Sequence, residues 1–205
     1  MLEIKDYYEV EGCEIVDNAK VYDLASSVKA SKFPMIVDLE KPTSEIVTRT
    51  VSLGSSKKGE GHDQFLSGII CNFNVTFSNK AWVEAERYRF LFFVSSQSTM
   101  HRITKFDLKE QCVEYVSDEI LDLLNSYIDE YNANPTPEGY LKVLYNTPSG
   151  FRLTARLSTS YRSLKTIYSQ RKNHRLPEWK TFCKWVETLP YFKHLILGES
   201  AEGEQ

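Results

Sequence analysis

The stretch "SGFRLTARLSTSYRSLKTIYSQRKNHRLPEW", Ser149 to Trp179, changes its hydrophobic period midway. Phe151, Leu153, Ala155 and Leu157 alternate with Arg152, Thr154, Arg156 and Ser158, which predicts a half-buried strand with a basic outer face. From Ser160 the spacing becomes helical: at about 100° per residue, Leu164, Ile167 and Tyr168 share one face. A second helix follows after a break near Leu176-Pro177. Arg171 falls in the middle of the first helix's apolar face, whereas Arg162 lies on its polar side. A buried guanidinium must be paired and hydrogen-bonded or it destabilises the fold. The partner of Arg171 is therefore a carboxylate, with Glu178 or an acid of the long helix near 117–132 as candidates, or else an anionic ligand. Arg162 is equally well read as a solvated residue near a helix N-terminus.

Working outward, the first residues suggest a short strand, and "AKVYDLASSVKASKF" predicts a helix with Val21, Leu24 and Val28 on one face. "EKPTSEIVTRTVSLGSSKKGEGHD" is polar and ends rich in Gly and Ser, the composition of a loop. "GIICNFNVTFS", Gly68 to Ser78, is β-branched and aromatic and predicts a strand. "NKAWVEAERYRF" predicts a helix capped by Ser78 or Asn79, with Arg89 beside its apolar arc. "LFFVSSQSTMHR" is an apolar run that breaks into small hydroxyl residues. Ser117 to Asn132 predicts an acidic amphipathic helix with Ile120, Leu123, Leu124, Tyr127 and Ile128 inward. In "NPTPEGYLKVLYN", Thr136 is placed to cap a short helix with Pro137 at its first position. Strands and helices mix without a regular βαβ rhythm, which predicts an α+β domain with an antiparallel or mixed sheet flanked by helices. One domain is expected over residues 1–197, with 198–205, polar and Gly/Glu-rich, as a disordered tail.

With 205 residues and 41% hydrophobic content, the chain is long enough for a sizeable core. A net charge of −3 gives no general attraction to nucleic acid or anionic membrane, so any anion recognition is local. Cys13, Cys71, Cys112 and Cys183 are scattered without metal-ligand spacing, as expected of reduced thiols. The N-terminus lacks the apolar stretch of a signal peptide, and no run approaches a membrane span. A soluble, cytoplasmic protein is expected, and the Asn74-Val75-Thr76 sequon carries no meaning there.

No Walker loop, dinucleotide fingerprint, Ser-His-Asp arrangement or zinc pattern is present. The informative feature is basic residues beside small polar ones. Ser95, Ser96, Ser98, Thr99 and Arg102 form a short run whose donors suit a phosphate, although ordinary turns share that composition. His62 in "GEGHDQF" is equally a loop histidine, Trp82 and Tyr88 read as core residues more readily than as cofactor-stacking ones, and Asp118/Glu119 as a charge arrangement at a helix N-terminus.

Taken in order, these stretches resemble the flavin-dependent thymidylate synthases. "GHDQFLSGIICNFNV" is similar to the family's G-H-x-x…F-x-H-V approach, "AERYRF" to a helix ending in R-H-R, and "SSQSTMHR" to the loop S-x-N-E-x-S-x-R. "SYRSL" resembles N-x-R-S-L, "SQRKNHRLPEW" the L-R and Q-W-E segments, and "DLASSVKASKF" the N-terminal helix. The resemblance spans about Tyr22 to Leu189 and rests on order and spacing. It implies a homotetramer that binds FAD and dUMP at sites shared between subunits, with NADPH and methylenetetrahydrofolate as co-substrates. In the family, reduced flavin passes a methylene to the pyrimidine and then supplies hydride.

Residue by residue, the resemblance puts Arg87 and Arg89 on the arginines of R-H-R, which contact nucleotide and flavin. Arg162 falls near the flavin and His62 on the cofactor side. Arg171 falls on the arginine that touches the pyrimidine ring, the candidate catalytic residue. Ser95, Gln97 and Arg102 fall on the loop's serine, asparagine and last arginine, allowing three inserted residues. Ser98 and Thr99 would join Arg102 in holding phosphate, and Lys142 replaces an arginine near it. The chain departs from the pattern at Tyr88 (histidine in the family), Gly68 (the flavin-facing histidine), Gln97-Ser98 (Asn-Glu) and Ser160 (asparagine). Two readings follow: a divergent synthase acting on dUMP or a related pyrimidine nucleotide, or a non-catalytic nucleotide-binding or interaction module on the same scaffold. A domain whose arginines make only structural ion pairs is the plainest alternative.

Overall fold

The computed structural model describes residues 4–57 and 59–199. Strands β1 (Tyr7–Val10), β2 (Val16–Tyr22), β3 (Ile70–Ser78), β4 (Phe92–Ser96) and β5 (Arg152–Ser160) form one antiparallel sheet in the order β1-β2-β3-β5-β4. The predicted alternation builds its centre. Phe73 opposes Leu157, Val75 opposes Ala155 and Phe77 opposes Leu153 on the buried face. Asn74 opposes Arg156 and Thr76 opposes Thr154 on the other face, where the two threonine hydroxyls meet at 2.7 Å. Such cross-strand pairs fix the register, because a one-residue slip would turn the apolar set outward.

Helices α8 (Tyr161–Arg171) and α9 (Pro177–Val186) follow β5 directly, as the change of period predicts. Ser160 caps α8 by accepting the Ser163 N–H at 3.3 Å. α9 covers β3 through aromatic contacts: Phe182 and Trp185 lie against Phe73, and Trp179 against Phe77 with ring centroids 4.8 Å apart. A second apolar cluster holds Ile103, Leu108, Cys112, Leu121, Leu124, Ile128, Val143 and Phe151. It joins α5 (Leu108–Gln111), α6 (Asp118–Ala133) and α7 (Pro137–Tyr145) to the sheet through Leu153. Thr136 caps α7 as expected, its Oγ1 accepting the Gly139 N–H at 3.0 Å. Cys71, Cys112 and Cys183 are buried free thiols and Cys13 is exposed. Burial pushes the Cys71 thiol up strongly and that of Cys183 to about 12.

Several expectations are corrected. Ala19 to Tyr22 ends β2 rather than opening a helix; α1 (Leu24–Ala30) starts only after Asp23, whose φ of 64° turns the chain sharply. The polar stretch before the second half of the sheet is not all loop, because α2 (Thr48–Gly54) lies inside it. Tertiary packing supports α2: a Cβ at Gly54 would stand 2.2 Å from the Leu195 carbonyl oxygen of the π turn Lys193–Leu197. α3 (Asn79–Ala85) is capped by Ser78 but ends before Arg87 and Arg89, which lie in the loop to β4. On α6 the inward residues are Leu121, Leu124 and Ile128, whereas Ile120 and Leu123 are exposed. Gly198 and Glu199 belong to the fold, the Glu199 N–H reaching the Lys193 carbonyl at 3.3 Å. The rest of the expected tail, 200–205, lies outside the described residues. No described helix is long and apolar enough to cross a membrane.

Candidate functional site

A cleft of about 1030 Å³ opens between α8, the turn Asp63–Ser67 and the loop from Arg87 to Phe92. Its long wall is the polar face of α8: Arg162, Lys165, Thr166 and Ser169 recur at helical spacing, with Gln170 and Arg171 at the far end. Ser158 and Thr159 of β5 and Phe92 of β4 close the end nearest the sheet edge.

At the N-terminal half of α8, Asp63 is 6% exposed and shared by two cations. Arg162 Nε stands 3.0 Å from Oδ1, and Lys165 Nζ 2.8 Å from Oδ2. Lys165 also donates to the carbonyls of Gly54 (2.8 Å) and Ser56 (2.6 Å), tying the end of α2 to α8. Burial alone would push the Asp63 carboxyl up, but the hydrogen bonds and charges of Lys165 and Arg162 outweigh it and hold it below its ordinary value. Arg162 is thus paired, also donating to Gln64 Oε1 at 2.7 Å, rather than simply solvated.

At the C-terminal end of α8, Arg171 is 13% exposed. Its Nη1 donates to Glu84 Oε2 at 2.6 Å and its Nε to the Tyr88 hydroxyl at 2.7 Å. The guanidinium carbon lies 5.1 Å from the Trp179 ring centroid and 5.5 Å from that of Tyr88, within cation–π range. The carboxylate partner is therefore Glu84 of α3, not Glu178 or an acid of α6. Glu178 instead accepts the Ser78 N–H at 2.7 Å, at the start of α3.

Arg87 and Arg89 also line the cleft, both exposed, and neither side chain has an ion pair or hydrogen bond among the described residues. Four of the predicted arginines thus meet in one cleft. The other predicted residues do not line it. His62 is exposed just before Asp63. Ser95 is exposed on β4, and Ser98 and Thr99 lie at the start of α4 (Thr99–Arg102), which ends on exposed Arg102. Gln97 extends the ladder, its Oε1 accepting the Thr154 N–H at 2.9 Å. Lys142 pairs with Glu130 at 2.6 Å and sits over the Tyr127 ring. At Gly68 a Cβ would stand 2.4 Å from Ser27 Oγ of α1, so that position faces the protein interior, and its neighbour Ser67 lines the cleft.

The residues that sequence reasoning missed are the acids. Asp63 sits inside the quoted "GHDQF", and Lys165 three residues after Arg162, a spacing that puts both cations on one helix face. Glu84 gives no local signal, because it meets Arg171 only through the packing of α3 against α8.

The antiparallel α+β fold is similar to that of flavin-dependent thymidylate synthases of known structure. The structure of thymidylate synthase X from Helicobacter pylori with FAD and dUMP matches with a TM-score of 0.65 and 14% identity, over 88% of this chain and 94% of that one. A second structure of the flavin-dependent enzyme from that organism, also complexed with FAD and dUMP, gives 0.64 and 14% over 89% and 95%. No protein-family profile matches the chain, and no curated protein matches its sequence.

Proposed function

We propose that the cleft binds FAD and a pyrimidine nucleotide such as dUMP, and that the chain is a divergent flavin-dependent thymidylate synthase-like protein. The observation that carries this reading is Arg87 and Arg89, two exposed guanidinium groups that line a large cleft and have no ion pair among the described residues. Guanidinium pairs of this kind bind phosphate oxygens through charge-assisted, bidentate hydrogen bonds. The Asp63 cluster adds to them, since one carboxylate faces two cations and leaves a net positive charge. The volume also lies at the upper end for ligand clefts, as a dinucleotide requires.

In this reading Arg87, Arg89 and Arg162 hold the pyrophosphate and flavin, and Arg171 with Tyr88 orients the pyrimidine. FAD held by these residues would supply hydride and one-carbon carrier chemistry, with NADPH and methylenetetrahydrofolate as co-substrates. The chain's own groups bind, orient and exclude water. Ser95, Gln97, Ser98, Thr99, Arg102 and Lys142 would serve the cleft of another subunit of a homotetramer. The β4 edge supports such an assembly: all five of its residues are exposed, and no charge occurs from Phe90 to Met100.

The non-catalytic reading has its own support. Arg171 already has a carboxylate partner, Gln97 is spent on Thr154, and tyrosine stands where the resemblance calls for histidine. Absorbance spectra of the protein titrated with FAD, with and without dUMP, test the proposal. Bound flavin whose spectrum shifts on adding dUMP is expected, and turnover with NADPH and methylenetetrahydrofolate separates enzyme from binding module. A folded, assembled sample that takes up no flavin at micromolar concentration would refute it.

A further inference from the structure

Arg171 lines the cleft, but the group that holds it does not: Glu84 lies behind the guanidinium, outside the lining. The same carboxylate oxygen, Oε2, is 3.1 Å from His174 Nε2, and the other, Oε1, is 3.8 Å from exposed Lys80 Nζ. His174 is fixed from its far side, because its Nδ1 accepts the Leu176 backbone N–H at 3.2 Å. A nitrogen that accepts carries no proton, so the neutral ring holds its proton on Nε2 and donates to Glu84. On the other flank, the Tyr88 hydroxyl accepts from Arg171 Nε and donates to Gln170 Oε1 at 3.0 Å. The chain of bonds runs from the Leu176 amide through His174 and Glu84 to Arg171, and on through Tyr88 to Gln170.

We propose that Glu84 and His174 are positioning residues that neutralise and fix Arg171, so that its end of the cleft accepts a neutral carbonyl and rejects an anion. With Nε and Nη1 engaged, Nη2 remains as a directed donor on a guanidinium whose charge Glu84 faces at 2.6 Å, while Lys80, the other cation on Glu84, is exposed and 3.8 Å off. The contrast with the rest of the cleft is chemical. Arg87 and Arg89, on either side of Tyr88, have no carboxylate among the described residues, and at the N-terminal half of α8 Asp63 faces two full charges. The ligand is thus a molecule whose anionic group and whose neutral, carbonyl-bearing ring are separated along one cleft. This assignment rests on the reading of the cleft as a nucleotide site only for the identity of that ring.

Two measurements test it without flavin. Imidazole ¹⁵N spectra of the full chain should show His174, assigned by its loss in His174→Gln, as the Nε2–H tautomer at neutral pH. An Nδ1–H tautomer would overturn the chain of bonds. Inorganic pyrophosphate titrations then compare variants. In the unaltered protein, Arg87→Ala should weaken pyrophosphate binding about tenfold and Arg171→Ala less than about twofold. Glu84→Gln, which keeps the shape but removes the charge, should tighten pyrophosphate binding several-fold, and adding Arg171→Ala should abolish that gain. An unchanged affinity in Glu84→Gln, or a large loss in Arg171→Ala alone, would sink the proposal. If Glu84→Gln does not fold, the Arg171→Ala titration and the His174 tautomer still decide. A gain in Glu84→Gln together with no FAD binding by the unaltered protein would keep this assignment and discard the flavin reading.

Discussion

Asp63 and Glu84 are the same kind of device set at the two ends of α8, yet they leave different charges behind. Each is a mostly buried carboxylate shared by two basic side chains of the α8 region: Arg162 and Lys165 for one, Arg171 and His174 for the other. Both cations at Asp63 lie within hydrogen-bond distance, at 3.0 and 2.8 Å, whereas at Glu84 only Arg171 does, at 2.6 Å, and the exposed Lys80 stands 3.8 Å off. The number of nearby bases is thus a poor guide to the field a ligand meets; their distance and exposure decide it.

The comparison breaks most visibly at Asp63. Asp63→Ala strands two cations around a buried gap and should cost about 3–5 kcal/mol in urea unfolding, the range for a broken buried pair. A loss under 1 kcal/mol would mean that solvent screens the cluster. Glu84→Ala should cost less, about 2–3 kcal/mol, because Arg171 keeps its bond to the Tyr88 hydroxyl and Lys80 is exposed to solvent. Acid then sharpens the contrast. The Asp63 carboxyl is held below its ordinary value, so its stabilisation is complete above the usual carboxylate range and is lost as pH falls through the lowered value. Asp63→Asn should therefore flatten the acid limb of the stability curve, and an unchanged limb would argue against the pairing. Arg87→Ala should alter stability by no more than about 0.5 kcal/mol, since the side chain is exposed and has no hydrogen bond or ion pair among the described residues. A larger loss would show that Arg87 is structural. Smallest of all, Lys142→Ala removes an exposed pair worth about 0–1 kcal/mol, and calorimetry should barely detect it.

Where pattern and packing agree, the sequence was legible. The switch from alternation to helical spacing at Ser160 located β5 and α8, and β-branched and aromatic content located β3. β2 was lost because Asn18, at φ 48°, interrupts its alternation and the register with β3 shifts there. Val21, Leu24 and Val28 then fall at spacings a helix would also produce, although Val21 is in the strand. β4 escaped notice because its residues face solvent rather than a core. α2 has no side-chain cap and is held by contacts with the distant π turn, which no local window contains. The candidate site divides in the same way. Its arginines could be picked out one by one on α8 and around Tyr88, but Glu84 and Asp63 reach them across long stretches of chain.

The four cysteines give this protein a built-in clock. Cys13 is open to solvent, while Cys71 lies inside the sheet, Cys112 in the second apolar cluster and Cys183 on α9. A thiol reagent should modify the first in a single fast step. Each of the others waits for its own part of the fold to open. Three separate labelling rates would then record whether the sheet, the helical cluster and the α9 layer open independently or as one unit.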